Sequence, residues 1–328
     1  MKKKYFFNLY KAFYAYNHKK THLPYPPVMG SVEPSSICNL NCVMCAMDKV
    51  NRKKGIMSLD TFENIINSGA HIRTMDFTGH GESLLNKNLE YFVKRSKTVA
   101  ERVGLTTNAT LLNMDKSNDL LFAGLDWICL SFEDVNKQVY ESIRVGANYD
   151  AVESNIKSFI MLKNMMAKNC KVILVVVDSP LTHDSLDKIQ SKWIPLVDTI
   201  KIVPIHDWGG ILDSSLIQQS REVRPYPCFE AWYHVYVRWD GSVVPCCLWE
   251  GKTDFGNINE QPIMDIWNSE TYKSFRKSLL NNPEDHCRYC HLDLLGSVFP
   301  LGKPEPTFPL SKGAFELLVS GFGKVIKR

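Results

Sequence analysis

The sequence predicts an α/β protein built from parallel βα units, followed by a smaller C-terminal unit of a different kind. Two observations lead to this prediction. Between residues 27 and 205, short β-branched segments alternate with longer helical segments, which is the pattern of a parallel sheet with right-handed crossovers. Beyond residue 225 the pattern changes to two closely spaced β segments joined by a tight turn, followed by one helical segment.

The composition is that of a globular protein. The 328 residues are 45% hydrophobic and 23% charged, and the chain exceeds the roughly 100–200 residues typical of one domain. Its formal net charge of +4 is too small to indicate nucleic-acid binding. Neither a run of about 18 apolar residues nor a secretory signal is present, which argues against a membrane span and against secretion. Ten cysteines in such a chain indicate metal ligands or catalytic thiols, and we expect a cytoplasmic protein.

Six strands are expected in the parallel unit. The first is the extended segment 27–35, and the others are Thr74–Thr78, Val103–Thr106, Trp127–Phe132, Lys171–Asp178 and Thr199–Ile205. Helices are expected at Ser58–Ser68, Leu89–Ala100, Asp115–Phe122, Tyr149–Met166 and Asp184–Trp193. Six strands are too few for a closed eight-stranded barrel. Ligands of parallel α/β folds gather at the carboxyl ends of the strands, so motifs at those ends are the first candidates for a site.

Three thiols follow the first strand within eight residues, at Cys38, Cys42 and Cys45. Such a group can hold several irons of one iron–sulfur cluster while leaving one iron open, although a zinc knuckle or half of a ferredoxin remains an alternative. The CxxxCxxC spacing resembles the signature of the radical S-adenosylmethionine (radical SAM) superfamily. The resemblance implies a [4Fe–4S] cluster that binds SAM and cleaves it reductively to a 5′-deoxyadenosyl radical. It also implies a partial (β/α)6 TIM-like barrel and a flavodoxin- or ferredoxin-type electron donor.

Other strand ends are similar to motifs of the same superfamily. Thr78-Gly79-His80-Gly81-Glu82 resembles the GGE motif in a GxGE form, in which glycines allow close approach to a ligand and the carboxylate accepts hydrogen bonds from the SAM ammonium. The segment 106–110 resembles "TNGT", and the resemblance implies serine and arginine contacts to SAM further along. The cofactor-binding residues expected on this basis are Met44, Gly79, Gly81, Glu82, Thr107, Asn108, Ser131 and Arg144.

Two of these expectations have a competing interpretation. A guanidinium matches a carboxylate bidentately, but Arg144 is equally consistent with a surface arginine that caps a helix. Trp208, followed by two glycines after the sixth strand, is consistent with the wall of an adenine or substrate pocket and with a buried Trp beside a turn. No general acid or base stands out, and the catalytic candidates are the strand-end residues His80, Glu133, His206 and Asp207.

The C-terminal unit contains a second group of thiols. Tyr233–Trp239 and Val243–Cys247 form a predicted hairpin around Asp240-Gly241, and a helix is predicted over Ile263–Leu280. The thiols of Cys228, Cys246, Cys287 and Cys290 make a four-thiolate set, whose spacing alone allows structural zinc or an iron–sulfur cluster.

A further resemblance favours the cluster. The C-terminal unit is similar to the SPASM/Twitch extension of radical SAM enzymes. The pattern it shares is Cys-x12-Gly-x4-Cys, followed by Gly-Asn-Ile and Trp267 and then by CxxC. A full SPASM domain continues with more cysteines, whereas residues 291–328 contain none, so the resemblance implies one auxiliary [4Fe–4S] cluster. Cys246 is preferred as ligand over Cys247, because neighbouring side chains on a strand point to opposite faces. Cys129 and Cys170 are interpreted as small buried hydrophobic residues.

These features predict four regions. Residues 1–26 form a basic, aromatic helical segment, 27–215 the partial barrel, 216–295 the cluster-binding hairpin and helix domain, and 296–328 a tail. The boundary is expected within 211–225. Residues 1–20 carry six lysines and no acid; packing of their aromatic side chains on the protein is favoured over contact with anionic lipid.

The function expected from the resemblance is hydrogen abstraction from a small molecule, namely from a sugar, aminocyclitol or nucleotide-sugar carbon, with dehydrogenation, dehydration or epimerisation as the outcome. The alternative is a peptide-modifying maturase, against which stand the single auxiliary site and the 37 residues that precede Cys38, too few for a folded leader-binding domain. A non-catalytic iron–sulfur or zinc protein is a remote alternative, because it leaves the GxGE motif, Ser131 and Arg144 without a role.

Overall fold

A computed structural model describes residues 2–208, 211–212, 227–249, 252–290 and 325–327. The side chains of residues 2–7 and 325–327 are outside this description, as are Gly209, Gly210 and most of the predicted boundary segment. The expected C-terminal tail also lies outside the described residues, except for the last strand.

The secondary structure follows the predicted alternation. The strands are β1 Met29–Val32, β2 Asn41–Cys42, β3 Ile72–Phe77, β4 Ala100–Thr107, β5 Trp127–Ser131, β6 Arg144–Val145, β7 Lys171–Asp178, β8 Thr199–Pro204, β9 His234–Val237, β10 Ser242–Val244, β11 Gly256–Asn257 and β12 Val325–Lys327. The helices are α1 Lys2–Asn17, α2 Leu59–Asn67, α3 Leu89–Ser96, α4 Met114–Ala123, α5 Lys137–Ile143, α6 Tyr149–Met165, α7 Leu186–Trp193, α8 Glu230–Tyr233, α9 Ile263–Trp267, α10 Glu270–Asn281 and α11 Asp285–Arg288.

The six predicted strands form a parallel sheet in the order β1-β3-β4-β5-β7-β8. Most of their β-branched and aromatic residues are buried, and helices α2, α3, α4, α6 and α7 follow the strands as predicted. Local capping sets the helix ends: Ser58 accepts a hydrogen bond from the Thr61 amide at the start of α2, and Gly124 ends α4 at a φ of 92°. The predicted α/β architecture with a partial parallel barrel is confirmed.

Helix α5 is absent from the sequence-based prediction. It has seven residues, too few for a clear helical period, and its amide groups at 138 and 139 are capped by the Asn136 side chain. Tyr140 and Ile143 bury one face of it. The helix delivers the chain to β6, which pairs with the cysteine loop.

The predicted hairpin is present, and its first strand joins the barrel sheet. β9 and β10 are antiparallel around Gly241, which has a φ of 86°. β9 also pairs in parallel with β1, so that Met29 lies opposite His234 and Val32 opposite Val237. The C-terminal unit therefore continues the sheet of the barrel at its first strand.

The single helix predicted over Ile263–Leu280 is wrong, because the structure has two helices there. α9 ends at Trp267, and Ser269 starts α10 by accepting a hydrogen bond from the Tyr272 amide. A Ser in this position competes for backbone donors and favours a helix start over a helix interior.

The N-terminal helix packs on the protein, as predicted. Leu9 and Ala12 are buried, and the Phe13 ring stacks on Phe229 with 4.7 Å between ring centroids. The Tyr16 hydroxyl donates to the Pro227 carbonyl at 2.7 Å. Among the described residues, no helix is long and apolar enough to cross a membrane.

Candidate active site and metal centres

The cysteine loop after β1 is fixed by a short antiparallel ladder. Cys42 pairs with Arg144 across β2 and β6, and the Val43 amide donates to the Ile143 carbonyl at 3.0 Å. Cys38 is exposed, whereas Cys42 and Cys45 are half-buried. The ladder places the Arg144 segment directly beside the loop, which the sequence pattern did not predict.

The three thiols lie close enough together to affect one another's ionisation. Burial raises the pKa of Cys42 to about 11; Arg144 acts in the opposite direction, while Cys45 and Cys38 raise it further. Burial also raises the pKa of Cys38 and of Cys45. Such thiols need a nearby cation to stay deprotonated, and metal ligation supplies one. The donor set therefore fits an iron–sulfur cluster held by three thiolates.

Arg144 and Glu133 form a buried, bidentate ion pair beside this loop. Nη2 of Arg144 donates to Oε1 of Glu133 at 2.6 Å, and Nε donates to the other carboxylate oxygen. Glu133 is fully buried and Arg144 is 9% exposed. Burial lowers the pKa of Arg144, but the Glu133 carboxylate outweighs this and raises it overall. Arg144 does cap the end of α5, where its amide donates to the Tyr140 carbonyl, but it is buried and not on the surface. The Glu133 carboxylate is already engaged by its guanidinium.

Glu82 joins two loops at the carboxyl edge of the sheet. Its Oε1 accepts from the Leu84 amide at 3.0 Å and the Thr107 hydroxyl at 2.6 Å, and its Oε2 accepts from the Asn108 amide at 2.8 Å. The side chain is 2% exposed, and burial raises its pKa despite these three donors. The acceptor that the sequence predicts for SAM also holds the end of β4 in place.

Both motif glycines allow parts of the protein itself to approach each other. A Cβ on Gly81 would lie 2.4 Å from the carbonyl oxygens of Ser35 and Ile37, and a Cβ on Gly79 would lie 2.5 Å from Cγ of Glu33. The close approach expected from the sequence thus occurs between this motif and the chain that leads into the cysteine loop.

The β4 end reaches the same cysteine loop. Nδ2 of Asn108 donates to Oδ1 of Asn39 at 3.0 Å and lies 3.9 Å from Sγ of Cys38. Ala109 has a φ of 61°, in the left-handed region where the resembling motif carries glycine. Ser131 ends β5, and Met44 is half-buried within the cysteine loop. The expected cofactor-binding residues therefore lie on the cysteine loop, at the strand ends of one edge of the sheet or, for Arg144, on the strand β6 that pairs with the loop.

The second thiol group lines one cavity. The residues around it are His206, Cys228, Glu230, Ala231, Pro245, Cys246, Leu248, Phe275, Leu279, His286, Cys287 and Cys290. Cys247 is not among the residues that line it, in agreement with the preference for Cys246. Burial, and then the neighbouring thiols Cys247, Cys287, Cys228 and Cys290, raise the pKa of Cys246 well above its usual value. The four thiols that line the cavity, of Cys228, Cys246, Cys287 and Cys290, fit a cluster that is ligated by thiolates alone.

No group of three His, Cys, Asp or Glu side chains within the described ranges is close enough together to chelate one metal ion. Thiolates around a single zinc stand roughly 4 Å apart, given Zn–S bonds of about 2.3 Å. A four-iron cluster is a larger body and holds its thiolates further from one another.

His286 belongs to this second site although the sequence analysis did not select it. Its Nε2 lies 3.2 Å from Sγ of Cys287, and its Nδ1 lies 2.8 Å from Nζ of Lys252. Burial, with Lys252 acting in the same direction, lowers the pKa of His286 to about 4, so the ring is neutral at neutral pH. The feature of the sequence that could have identified His286 is its position directly before the CxxC pair.

The four catalytic candidates are placed at different points. Glu133 is paired with Arg144, and His206 lines the cavity of the second thiol group. Oδ1 of Asp207 lies 3.7 Å from Nδ1 of His206. His80 is buried, and its Nε2 donates to the Cys247 carbonyl at 2.6 Å. The structure thus brings His80, His206 and Asp207 towards the second site and leaves Glu133 at the first.

Two buried acids inside predicted strands were also missed. The carboxylate of Glu33, which is fully buried, accepts from both Nη atoms of Arg52 at 2.5 and 3.0 Å and from the His80 amide at 3.2 Å. Asp76 is 9% exposed, and burial raises its pKa to about 6, with His234 acting in the opposite direction. The signal for both was a carboxylate within an otherwise buried strand.

The fold and the two thiol groups define a class of protein: a partial parallel barrel with one group of three thiols and one group of four. Comparison with known families agrees. The radical SAM superfamily model matches residues 32–182, and an iron–sulfur cluster-binding domain, SPASM, matches residues 228–291. The chain belongs to the radical SAM superfamily and carries a C-terminal SPASM domain. Its cofactors are a [4Fe–4S] cluster that binds SAM and an auxiliary iron–sulfur cluster.

Several curated proteins are similar to the chain. A probable GTP 3′,8-cyclase of Methanococcus maripaludis is 31% identical, covering 64% of this chain and 82% of that protein. An S-adenosyl-L-methionine-dependent 2-deoxy-scyllo-inosamine dehydrogenase of Niallia circulans is 26% identical, covering 80% and 92%. A tungsten-containing aldehyde ferredoxin oxidoreductase cofactor-modifying protein of Pyrococcus furiosus is 24% identical, covering 80% and 86%.

Two solved structures share the fold. BtrN in complex with AdoMet and 2-DOIA has a TM-score of 0.56 at 23% identity and covers 80% of this chain and 92% of its own. Streptococcus suis SuiB bound to the precursor peptide SuiA has a TM-score of 0.66 at 14% identity and covers 91% and 78%. These likenesses show the fold alone.

Proposed function

We propose that the protein is a radical SAM dehydrogenase of a small hydroxylated molecule, of the sugar, aminocyclitol or nucleotide-sugar class. The observation that carries the proposal is the four-thiolate site attached to the open edge of the barrel sheet through β9. When bound, the first cluster with SAM supplies a hydrogen-abstracting radical, and the second supplies an electron acceptor. A flavodoxin- or ferredoxin-type protein is the proposed electron donor.

The thiol groups divide between the two centres. Cys38, Cys42 and Cys45 are the proposed ligands of the SAM-binding cluster, because three thiolates leave one iron open. Cys228, Cys246, Cys287 and Cys290 are the proposed ligands of the auxiliary cluster, which has no open iron because four thiolates complete it.

The chain's own residues would bind and orient SAM at the first centre. Oε2 of Glu82 accepts a hydrogen bond from the Asn108 amide. A carboxylate oxygen can accept more than one hydrogen bond, so an ammonium group is a suitable further donor. Nη1 of Arg144, which lies outside the bidentate pair of Nε and Nη2 with Glu133, offers a further donor for a bound carboxylate. Asn108 and Ser131 offer amide and hydroxyl groups at the same edge.

The relatives support a small-molecule substrate. The dehydrogenase from Niallia circulans acts, by its name, on 2-deoxy-scyllo-inosamine, and the similarity covers 92% of that protein. The probable cyclase is named for GTP, which is also a small molecule. The competing hypothesis is peptide modification, which is the activity implied by the name of the Bacillus subtilis subtilosin biosynthesis protein AlbA, 23% identical over 64% of its length.

The test is substrate-dependent SAM cleavage. The anaerobically reconstituted protein is incubated with SAM, a reductant and a panel that contains 2-deoxy-scyllo-inosamine, related aminocyclitols, nucleotide sugars, GTP and short peptides. We expect 5′-deoxyadenosine formation to rise with an aminocyclitol or sugar, and the product to have lost two hydrogen atoms by mass spectrometry. Stimulation by peptides alone would overturn the proposal in favour of a maturase.

The role of the second centre is tested separately with the double variant Cys287→Ala/Cys290→Ala. We expect it to cleave SAM but to release no oxidised product, because the acceptor is missing. Circular dichroism must show that the variant is folded, since cluster binding contributes to the folding of small domains. Zinc in place of iron at this centre, in protein purified without oxygen, would refute an acceptor role.

A further inference from the structure

A contact chain joins the two metal centres through His80 and Trp208. Trp208 packs against a cluster formed by Ala46, Val50 and Leu212, of which the first two lie in the segment that follows Cys45. The centroid of the Trp208 ring lies 4.8 Å from that of the His80 ring, at an interplanar angle of 50°. Both residues therefore stand between the SAM-side loop and the SPASM domain.

His80 makes the direct link to the second centre. Its Nε2 lies 2.6 Å from the carbonyl oxygen of Cys247, which can only accept, so Nε2 carries the proton. This carbonyl belongs to the residue that follows the proposed ligand Cys246. His80, which donates this bond, is 6% exposed.

The backbone amide of His80 is also hydrogen-bonded to a buried group. Its amide donates to Oε1 of Glu33, a fully buried carboxylate, at 3.2 Å. The same carboxylate accepts from the Tyr236 hydroxyl and the Trp239 amide of the hairpin region, each at 3.4 Å. His80 of the GxGE motif is thus linked to the hairpin region through its amide and the Glu33 carboxylate, and its ring is bonded directly to the Cys247 carbonyl.

We propose that His80 is a positioning residue of the auxiliary cluster: from within the SAM-side motif, its ring N–H fixes the Cys247 carbonyl and thereby the orientation of the Cys246 thiolate. Groups around a metal ligand that fix its orientation also tune the metal, including its reduction potential. The inference concerns the second centre and does not depend on which substrate the enzyme oxidises.

The experiment compares His80→Gln with His80→Leu, whose side chains are similar in size but of which only Gln retains an N–H donor. Each substitution is also made together with Cys38→Ala, Cys42→Ala and Cys45→Ala, so that the auxiliary cluster is the one whose electron paramagnetic resonance signal is read. Measured quantities are this signal, the midpoint potential and the iron content. SAM binding is measured in the full enzyme with its three cysteines intact.

We expect His80→Leu either to lose the auxiliary cluster or to change its signal and its midpoint potential. In the second case the ratio of reduced to oxidised cluster at a fixed potential should shift about tenfold, which corresponds to about 59 mV for a one-electron couple. His80→Gln should stay close to the parent protein, and both variants should bind SAM. An unchanged signal and potential in His80→Leu would overturn the proposal. The same change in both variants would also overturn it, because the hydrogen bond would then not be the determinant.

Discussion

Removing one partner of the Arg144–Glu133 pair should destabilise the protein more than any surface charge does. Arg144→Met leaves the Glu133 carboxylate fully buried without a guanidinium, and Glu133→Leu leaves the opposite charge uncompensated. The pair also lies next to β6, which pairs with Cys42 of the cysteine loop. We therefore expect both single variants to weaken the first metal centre as well.

The magnitude follows from the burial of the pair. Breaking a buried ion pair by removing one partner costs about 3–5 kcal/mol. For a chain of this size, about 2 °C of melting temperature per kcal/mol is expected, which gives a decrease of about 6–10 °C. The double variant Glu133→Leu/Arg144→Met has no uncompensated charge, so its loss should be much smaller than the sum of the two single losses.

The assay is thermal unfolding of the apo-protein by circular dichroism under anaerobic, reducing conditions, with iron content measured after reconstitution. Lys137→Met is the matched control, because its ion pair with Asp150 joins exposed side chains in the same region and should contribute nothing measurable. Equal melting temperatures for Arg144→Met and Lys137→Met, or a double variant as unstable as the sum of the singles, would refute the reasoning.

Three further changes test the first centre and its surroundings. Changing Cys38, Cys42 and Cys45 together to Ala should leave about half of the iron, because the four-thiolate site remains, and should abolish SAM cleavage; retained cleavage would contradict the ligand assignment. Glu82→Gln keeps a carbonyl oxygen for two of the three hydrogen-bond donors of Glu82 but removes the charge. The loss of about 1.5–3 kcal/mol should weaken SAM binding about 10–150-fold. An unchanged dissociation constant by calorimetry would mean that Glu82 only holds the loop in place. Ala109→Gly should change the free energy of unfolding little, because the relief of left-handed backbone strain offsets the loss of the methyl group. Ala109→Val should clearly destabilise the protein. Equal urea midpoints for the two variants would show that the backbone conformation carries no strain.

The sequence by itself determined the parallel α/β architecture, the hairpin and the two groups of thiols. Segments such as Lys171–Asp178 are rich in β-branched residues and bounded by helical segments, so their secondary structure follows from local preference and burial. The cysteine spacing carries its chemistry within a few residues, which is why the superfamily and its cofactors were predictable without coordinates.

Only the tertiary structure decided the pairing of β9 with β1, the Glu133 partner of Arg144 and the link from His80 to Cys247. The residues of the β-sheet pair and of the His80 contact are separated by more than 160 positions in the chain, and no local periodicity encodes such contacts. The split between α9 and α10 depended on Ser269, whose side chain selects a helix start from its backbone surroundings. Side-chain hydrogen bonds are short and directional, so which donors meet which acceptors is settled when the strands and loops are packed, and the sequence pattern records only that the groups are present.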